Sequence, residues 1–280
     1  MTRFNTPERA ERSALFIGDG PALMRCVEEF CHSSGVVTGV VSINPDVVQI
    51  AESRGIPVLA VEPELLQDPA GMVEYSRLLH EFASNSSYDC LFSIENSLLI
   101  PEMILRGASR AVINLYPGDL EQKICVQPFS WAVVRGEDRF PLSWIQVDPK
   151  GSETRLVHQE YVDLSVSEPT DSTDDRFLDS CAEGFRTVCN RLYEGSNSSE
   201  FPRLQPEREQ FRPTPFLGRS PGCVWIDWSW PATTIANNVR GAKVGSLRRL
   251  FGHVKFVHQG EFLILHECHV LQNGPGSSSE

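Results

Sequence analysis

Between Ala14 and Asn114 short apolar runs alternate with stretches of helical spacing, and that alternation leaves the chain few folds to adopt. Ala14-Leu15-Phe16-Ile17 is a strand-length run closed by Gly18-Asp19-Gly20-Pro21, after which Leu23, Cys26, Val27 and Phe30 recur at the helical period. A buried strand over 36–42 and a helix over 47–53 follow, with Arg54-Gly55 as the C-cap before an apolar run over 56–59. The pattern then repeats: helix 72–83, strand 90–94, helix 102–105, strand 111–114. Continuously apolar strands separated by helices are buried on both faces of a sheet. The expected fold class is therefore α/β, a doubly wound, mainly parallel sheet of Rossmann type. Ligands in such sheets bind beyond the strand C-termini, and Asn114 falls at one such end. Gly18-Asp19-Gly20 lacks the later glycine of a dinucleotide fingerprint and reads as a plain tight turn.

Further strands are expected over 143–148 and 159–164. A helix over 174–192 sets Phe177, Cys181, Phe185, Val188 and Leu192 on one face, with Thr173 in capping position. The stretch 196–223 is rich in Ser, Pro, Arg and Glu, has no apolar period and reads as a linker. After it come a helix over 231–240 and a hairpin of strands 254–258 and 261–266 about Gln259-Gly260. The expected organisation is an N-terminal domain over 12–195, a linker over 196–223, a small C-terminal domain over 224–272 and a flexible tail over 273–280.

Charge and composition remove several classes of function. The net charge is −12, from 25 Lys and Arg against 37 Asp and Glu, and the basic residues form no long cluster. Nucleic acid calls for a basic face that releases counterions, so it is disfavoured as a partner. No apolar run approaches the ~18–20 residues that span a bilayer, and the polar start Met1-Thr2-Arg3-Phe4-Asn5 has no signal-like core. A cytoplasmic protein without membrane partners is expected. None of the 8 cysteines forms a C-x-x-C pair, which leaves them as free thiols. His266 and Cys268 alternate onto one strand face, but two ligands do not make a metal site, and no metal is expected.

Several short stretches carry a family resemblance. Residues 14–20 resemble the opening strand of formyltransferases, and Phe92-Ser93-Ile94-Glu95-Asn96-Ser97-Leu98-Leu99-Ile100-Pro101 is similar to the segment that walls their folate pocket. Ala111 to Pro117 is similar to the A-I-N-x-H stretch, and Ser130-Trp131-Ala132 to the S-W-A helix start. Ile226-Asp227-Trp228-Ser229, Pro231-Ala232 and 235–240 resemble the linker and helix of methionyl-tRNA formyltransferases. Over about 13–165 and 224–260 the chain resembles the folate-dependent formyltransferase family, whose members include methionyl-tRNA, peptide-synthetase and sugar N-formyltransferases.

In that family an Asn and a His donate to the oxyanion and an Asp relays protons. The resemblance puts Asn114 at the Asn, Tyr116 at the His and Ser152 at the Asp, with Glu153 next door as a substitute acid. In the H-x-x-D-x-x-x-D-x-G pattern, which starts here at Ile145, Asp148 matches the first Asp. The loop after Pro117 also departs, reading Gly118-Asp119-Leu120-Glu121 where the family has S-L-L-P. A phenol donates one hydrogen bond but does not exchange protons readily near neutral pH. Losing an oxyanion donor removes ~10²–10³ in turnover, and losing an acid–base ~10²–10⁴. The implied site is Asn114, Tyr116, Ser152 and Glu153 for catalysis, with Trp144, Gln146 and Asp148 for substrate. Phe92, Ile94, Asn96 and Leu98 are the implied contacts for 10-formyltetrahydrofolate. His158 reads as an ordinary strand histidine and Cys125 as a buried thiol.

Three functions stay open. The first is a repurposed enzyme of natural-product metabolism, which polarises a carbonyl through Asn114 and Tyr116 for cyclisation, dehydration or acyl chemistry. The second is a genuine folate-dependent N-formyltransferase, and the third a catalytically silent binding or scaffold subunit. The substrate would be a small molecule or carrier-bound, and the assembly a homodimer.

Overall fold

The computed structural model describes residues 12–118, 128–149, 154–164, 170–194, 201–204, 225–242 and 254–270. Ser152, Glu153, Cys125 and the expected tail over 273–280 lie outside them. In chain order the elements are β1 (Arg12–Ile17), α1 (Pro21–His32), β2 (Gly35–Ser42), α2 (Pro45–Ser53), β3 (Val58–Ala60), α3 (Pro69–Ser84), β4 (Tyr88–Ile94), α4 (Glu102–Leu105) and β5 (Ala108–Pro117). They continue as α5 (Pro128–Arg135), β6 (Arg139–Val147), β7 (Thr154–Asp163), α6 (Thr170–Tyr193), β8 (Arg203–Leu204), α7 (Ala232–Gly241), β9 (Val254–His258) and β10 (Glu261–Leu265).

Eight strands form one sheet in the order β3-β2-β1-β4-β5-β6-β7-β8. The pairs β2/β3, β1/β2, β1/β4 and β4/β5 are parallel, which gives the α/β class that the alternation predicts. Between β6 and β7 lie only residues 148–153, too few for a parallel crossover. Gly118 N–H, just past the end of β5, donates to Pro141 O near the start of β6 at 2.9 Å, the geometry of strands running in opposite directions.

Local chemistry sets the helix starts. Asn44 Oδ1 accepts from Asp46 N–H at 3.0 Å ahead of α2, and Asp68 Oδ1 accepts from Gly71 N–H at 2.8 Å ahead of α3. Each cap precedes a proline at the first helical position. That is why α3 starts upstream of its apolar period. α6 begins at Thr170, so Thr173 lies in its first turn and not at the cap.

The chain divides into two compact units that are interleaved along it, whereas composition points to consecutive ones. The first comprises Met1–Tyr116, Ser143–Gln159 and Cys181–Gln205. One face of its sheet packs an aromatic cluster of Phe16, Phe30, Phe92 and Phe185, with Phe92 and Phe185 ring centroids 4.8 Å apart. The other face buries Leu15, Ile17, Leu91 and Val112 against Tyr75 and Leu79 of α3 and Ile104 of α4. Within the stretch read as a linker, Phe201 is buried and Arg203–Leu204 adds β8, antiparallel to β7. That short strand is invisible to composition because two paired residues leave no periodic trace.

The second unit comprises Pro117–Leu142, Glu160–Ser180 and Pro206–Glu280. Phe129 of α5 contacts Phe140 and Phe177 at 5.1 and 4.9 Å. The end of α7 comes so close to α5 that a Cβ on Gly241 would meet Val134 Cγ2 at 2.3 Å. β9 and β10 pair antiparallel through Gln259 and Gly260, both at positive φ, the hairpin that the sequence predicts. Among the described residues no helix is long and apolar enough to cross a membrane.

Candidate functional site

The chain leaves β1 for β2 on one side and later returns to β4 on the other. The crevice beyond these strand ends is the topological switch point, where α/β folds hold ligands. Here the protein fills it with its own side chains. Asp19 Oδ1 accepts from Ile43 N–H at 3.0 Å and Ser42 Oγ–H at 3.2 Å, while Oδ2 accepts from Ser97 N–H and Ser97 Oγ–H. Glu95, at φ 47°, accepts from Ala22 N–H through Oε2 at 2.9 Å, so the anion at the first turn of α1 is internal. A Cβ on Gly18 would lie 1.8 Å from Ile94 O, and one on Gly20 1.9 Å from Glu95 Oε2. The Gly18-Asp19-Gly20 turn is therefore built for close approach of the β4 loop, and no phosphate cradle is left at it. Burial, then the Asp19 carboxylate, pushes the Tyr75 phenol up to about 12.

After β4 the backbone folds on itself: Asn96 Nδ2 donates to Leu98 O at 2.9 Å, and Leu98 N–H donates to Asn96 Oδ1 at 2.8 Å. Leu98 is buried with the α3-side cluster. Phe92 and Ile94, expected to wall a folate, are both 0% exposed. Strand alternation turns Phe92 toward Phe16, Phe30 and Phe185, so it is a core side chain and not a pocket wall.

Asn114 and Tyr116, two residues apart on β5, share the face of Val112 and are half-buried. Asn114 pairs in register with Ser93 of β4, and Ser93 Oγ–H donates to Asn114 Oδ1 at 2.8 Å. Asn114 Nδ2 makes no hydrogen bond among the described residues. Counting back two residues from the Gly118–Pro141 bond along each strand sets Tyr116 opposite Ser143. Ser143 is buried and accepts from Gln159 Nε2 of β7 at 2.9 Å. Ser93, Asn114, Tyr116, Ser143 and Gln159 thus line one sheet face across four strands. Of these, the family resemblance points to Asn114 and Tyr116 as catalytic and sets Ser93 within the folate-wall segment. Ser143 and Gln159 carried a signal in being polar at core-facing alternation positions.

Trp144 and Gln146 do not join them. Val147 packs on the α3 side, so the alternate residues Trp144 and Gln146 project to the α6 side. There Trp144 is fully buried with its ring centroid 5.8 Å from that of Phe185. Trp144 Nε1 and Gln146 Oε1 are buried without a hydrogen-bond partner among the described residues. Asp148 follows β6 directly and is half-buried, as is His158 on β7. Among the described residues no three His, Cys, Asp or Glu side chains come together as a metal site.

What the described residues offer chemically is a carboxamide donor and a phenol side by side at a strand end. That pair suits a carbonyl oxygen that gains charge. No protein-family model matches the chain. The methionyl-tRNA formyltransferase of Citrifermentans bemidjiense is 25% identical over 206 residues, 72% of this chain and 59% of that protein. A sugar N-formyltransferase from a Shewanella species superposes with a TM-score of 0.61 at 10% identity, covering 93% of this chain and 99% of that chain. The chain is thus similar in sequence to methionyl-tRNA formyltransferases and has the fold of formyltransferases. Glycinamide ribonucleotide transformylase 1 of Geobacillus kaustophilus shares the fold over 65% of this chain and 98% of its own, with a TM-score of 0.53 at 21% identity. The chain spans under two thirds of the Citrifermentans relative, 59% of its length.

Proposed function

We propose that this chain transfers a formyl group to the amine of a small or carrier-bound molecule, with Asn114 polarising the formyl carbonyl. The observation that carries the reading is Asn114 and Tyr116 side by side at the C-terminal end of β5, with Asn114 Nδ2 free of any described partner. The amine nitrogen bonds to the formyl carbon, the carbon–nitrogen bond to the donor breaks, and the amine's proton ends on the departing nitrogen. Asn114 Nδ2–H and Tyr116 O–H hold the oxygen while it carries charge. Glu153, one residue past the family's acid position at Ser152, is assigned to carry that proton from the amine to the departing nitrogen. A reduced folate such as 10-formyltetrahydrofolate would, when bound, supply the formyl carbon. Asn114 suits its formyl oxygen, and the Asn96–Leu98 turn is the remaining part of the implied wall, Phe92 and Ile94 being core. The net charge of −12 supports a small acceptor over tRNA.

A second reading is favoured by the phenol at 116 in place of an imidazole. In it the same donors polarise a carbonyl of a specialised-metabolite intermediate without folate. Calorimetry with 10-formyltetrahydrofolate and the full chain tests the first reading. Micromolar binding supports it, and no heat at millimolar folate overturns it in favour of the second. The double change Tyr116→His with Ser152→Asp then raises formyl transfer if the donor site is intact.

A further inference from the structure

We infer that Ser93 is a positioning residue, which selects the orientation of the Asn114 carboxamide so that it donates toward the substrate. This deepens the proposed function and rests on its assignment of Asn114 as the donor. A carboxamide has one accepting and one donating end, and only the donating end stabilises an oxyanion. Rotated by half a turn, the same side chain presents oxygen lone pairs to the developing negative charge.

The backbone does not choose between these orientations. The two strands run parallel in register, which places Ser93 beside Asn114. Ser93 is only 5% exposed, so water does not compete for its hydroxyl. Its single O–H donates to Asn114 Oδ1 at 2.8 Å and has no other acceptor among the described residues. A rotated carboxamide, although Nδ2 could donate to Ser93 Oγ, would leave that buried O–H unsatisfied. In the observed orientation both N–H groups of Nδ2 are left for a ligand. On the other side, the Gly118–Pro141 bond counts back to put Ile145 opposite Asn114, an apolar neighbour that cannot hold either end. Ser93 is thus the described polar group that decides which end of Asn114 faces outward. The sequence resemblance had placed Ser93 in the folate wall, whereas its side chain acts sideways, along the sheet.

The test has a spectroscopic arm and a kinetic arm, both on the full chain. The side-chain amide resonances of Asn114 are assigned in ¹⁵N-labelled protein by their loss in Asn114→Asp. In Ser93→Ala these resonances shift or broaden, and Ser93→Thr, which keeps the hydroxyl, restores them. In formyl transfer Ser93→Ala lowers kcat roughly 3- to 10-fold, the scale of one neutral hydrogen bond, with KM within about 2-fold and recovery in Ser93→Thr. Added to Asn114→Ala it has no further effect. Unmoved Asn114 resonances in a folded Ser93→Ala protein overturn the inference, as does a kcat loss that Ser93→Thr fails to recover. Should Ser93→Ala not fold, Ser93→Cys, nearly isosteric and a weak donor, gives the same readouts. Should no formyl transfer be found, the proposed function falls by itself, while the resonances still decide the role of Ser93.

Discussion

Replacing Asp19 by alanine removes one carboxylate that ties together three separate stretches of chain: the turn after β1, the segment Ser42-Ile43 after β2, and Ser97 after β4. The bonds differ in weight. Ser42 is fully buried and Ile43 half-buried, so their donors lose a charged acceptor with little water to replace it. Hydrogen bonds to a charged group contribute about 1.5–3 kcal/mol each when shielded. Ser97 is exposed, and water takes over its bonds nearly without loss. Asp19→Ala should therefore destabilise the fold by about 2–4 kcal/mol, set mainly by the Ser42 and Ile43 side. Asp19→Asn keeps the shape but turns an N–H₂ group toward one set of donors, at about 1–3 kcal/mol. Ser97→Ala should stay under about 1 kcal/mol. Urea unfolding followed by far-ultraviolet circular dichroism measures all three on the full chain, with the m-value as a check that the unfolded state is unchanged. A loss under about 0.5 kcal/mol for Asp19→Ala, or Ser97→Ala as damaging as Asp19→Ala, refutes the reasoning.

Phe185→Ala empties the centre of the aromatic cluster, where its ring meets those of Phe92, Trp144 and Phe16 at 4.8, 5.8 and 6.0 Å. A loss of about 3–5 kcal/mol is expected in the same urea assay. The Tyr75 phenol is held up at about 12, first by burial and then by Asp19. The folded state thus keeps a proton that the unfolded chain releases near the ordinary value of 10, so the contribution of Tyr75 to stability is whole below about pH 10 and is lost toward pH 12. Tyr75→Phe should flatten that part of the urea midpoint–pH curve. Thiol labelling of the native protein followed by peptide mass mapping should modify exposed Cys31 before buried Cys26, Cys90, Cys181 and Cys189. Burial raises the thiols of Cys26, Cys90 and Cys189 further above neutrality, which slows them again.

The site was partly legible in the sequence. Alternation along β5 is enough to put Asn114 and Tyr116 on one face, and a strand end in an α/β sheet is where a ligand is expected. Trp144 and Gln146 are close to Asn114 in the motif order but not in space. Alternation separates even from odd positions on β6, but it does not say which set faces β5's Asn114. That needed Val147 packed with the α3-side cluster and Trp144 against Phe185. Phe92, one residue away from Ser93, likewise faces the aromatic cluster on the opposite side of the sheet.

By itself the sequence determined the alternating elements, their proline-and-Asx starts, the hairpin at Gln259-Gly260 and the place of Asn114 at a strand end. These depend on residues a few positions apart, whose periods and dihedral preferences act locally. Tertiary structure alone decided which face each strand presents, that β8 joins the sheet edge, and that Glu95 and Asp19 close the switch point from within. Those outcomes depend on groups many residues apart: Glu95 meets Ala22 across 73 positions, and Ser93 meets Asn114 across 21. Hydrogen bonds of that reach exist only once packing has brought the strand ends together, so no local pattern encodes them.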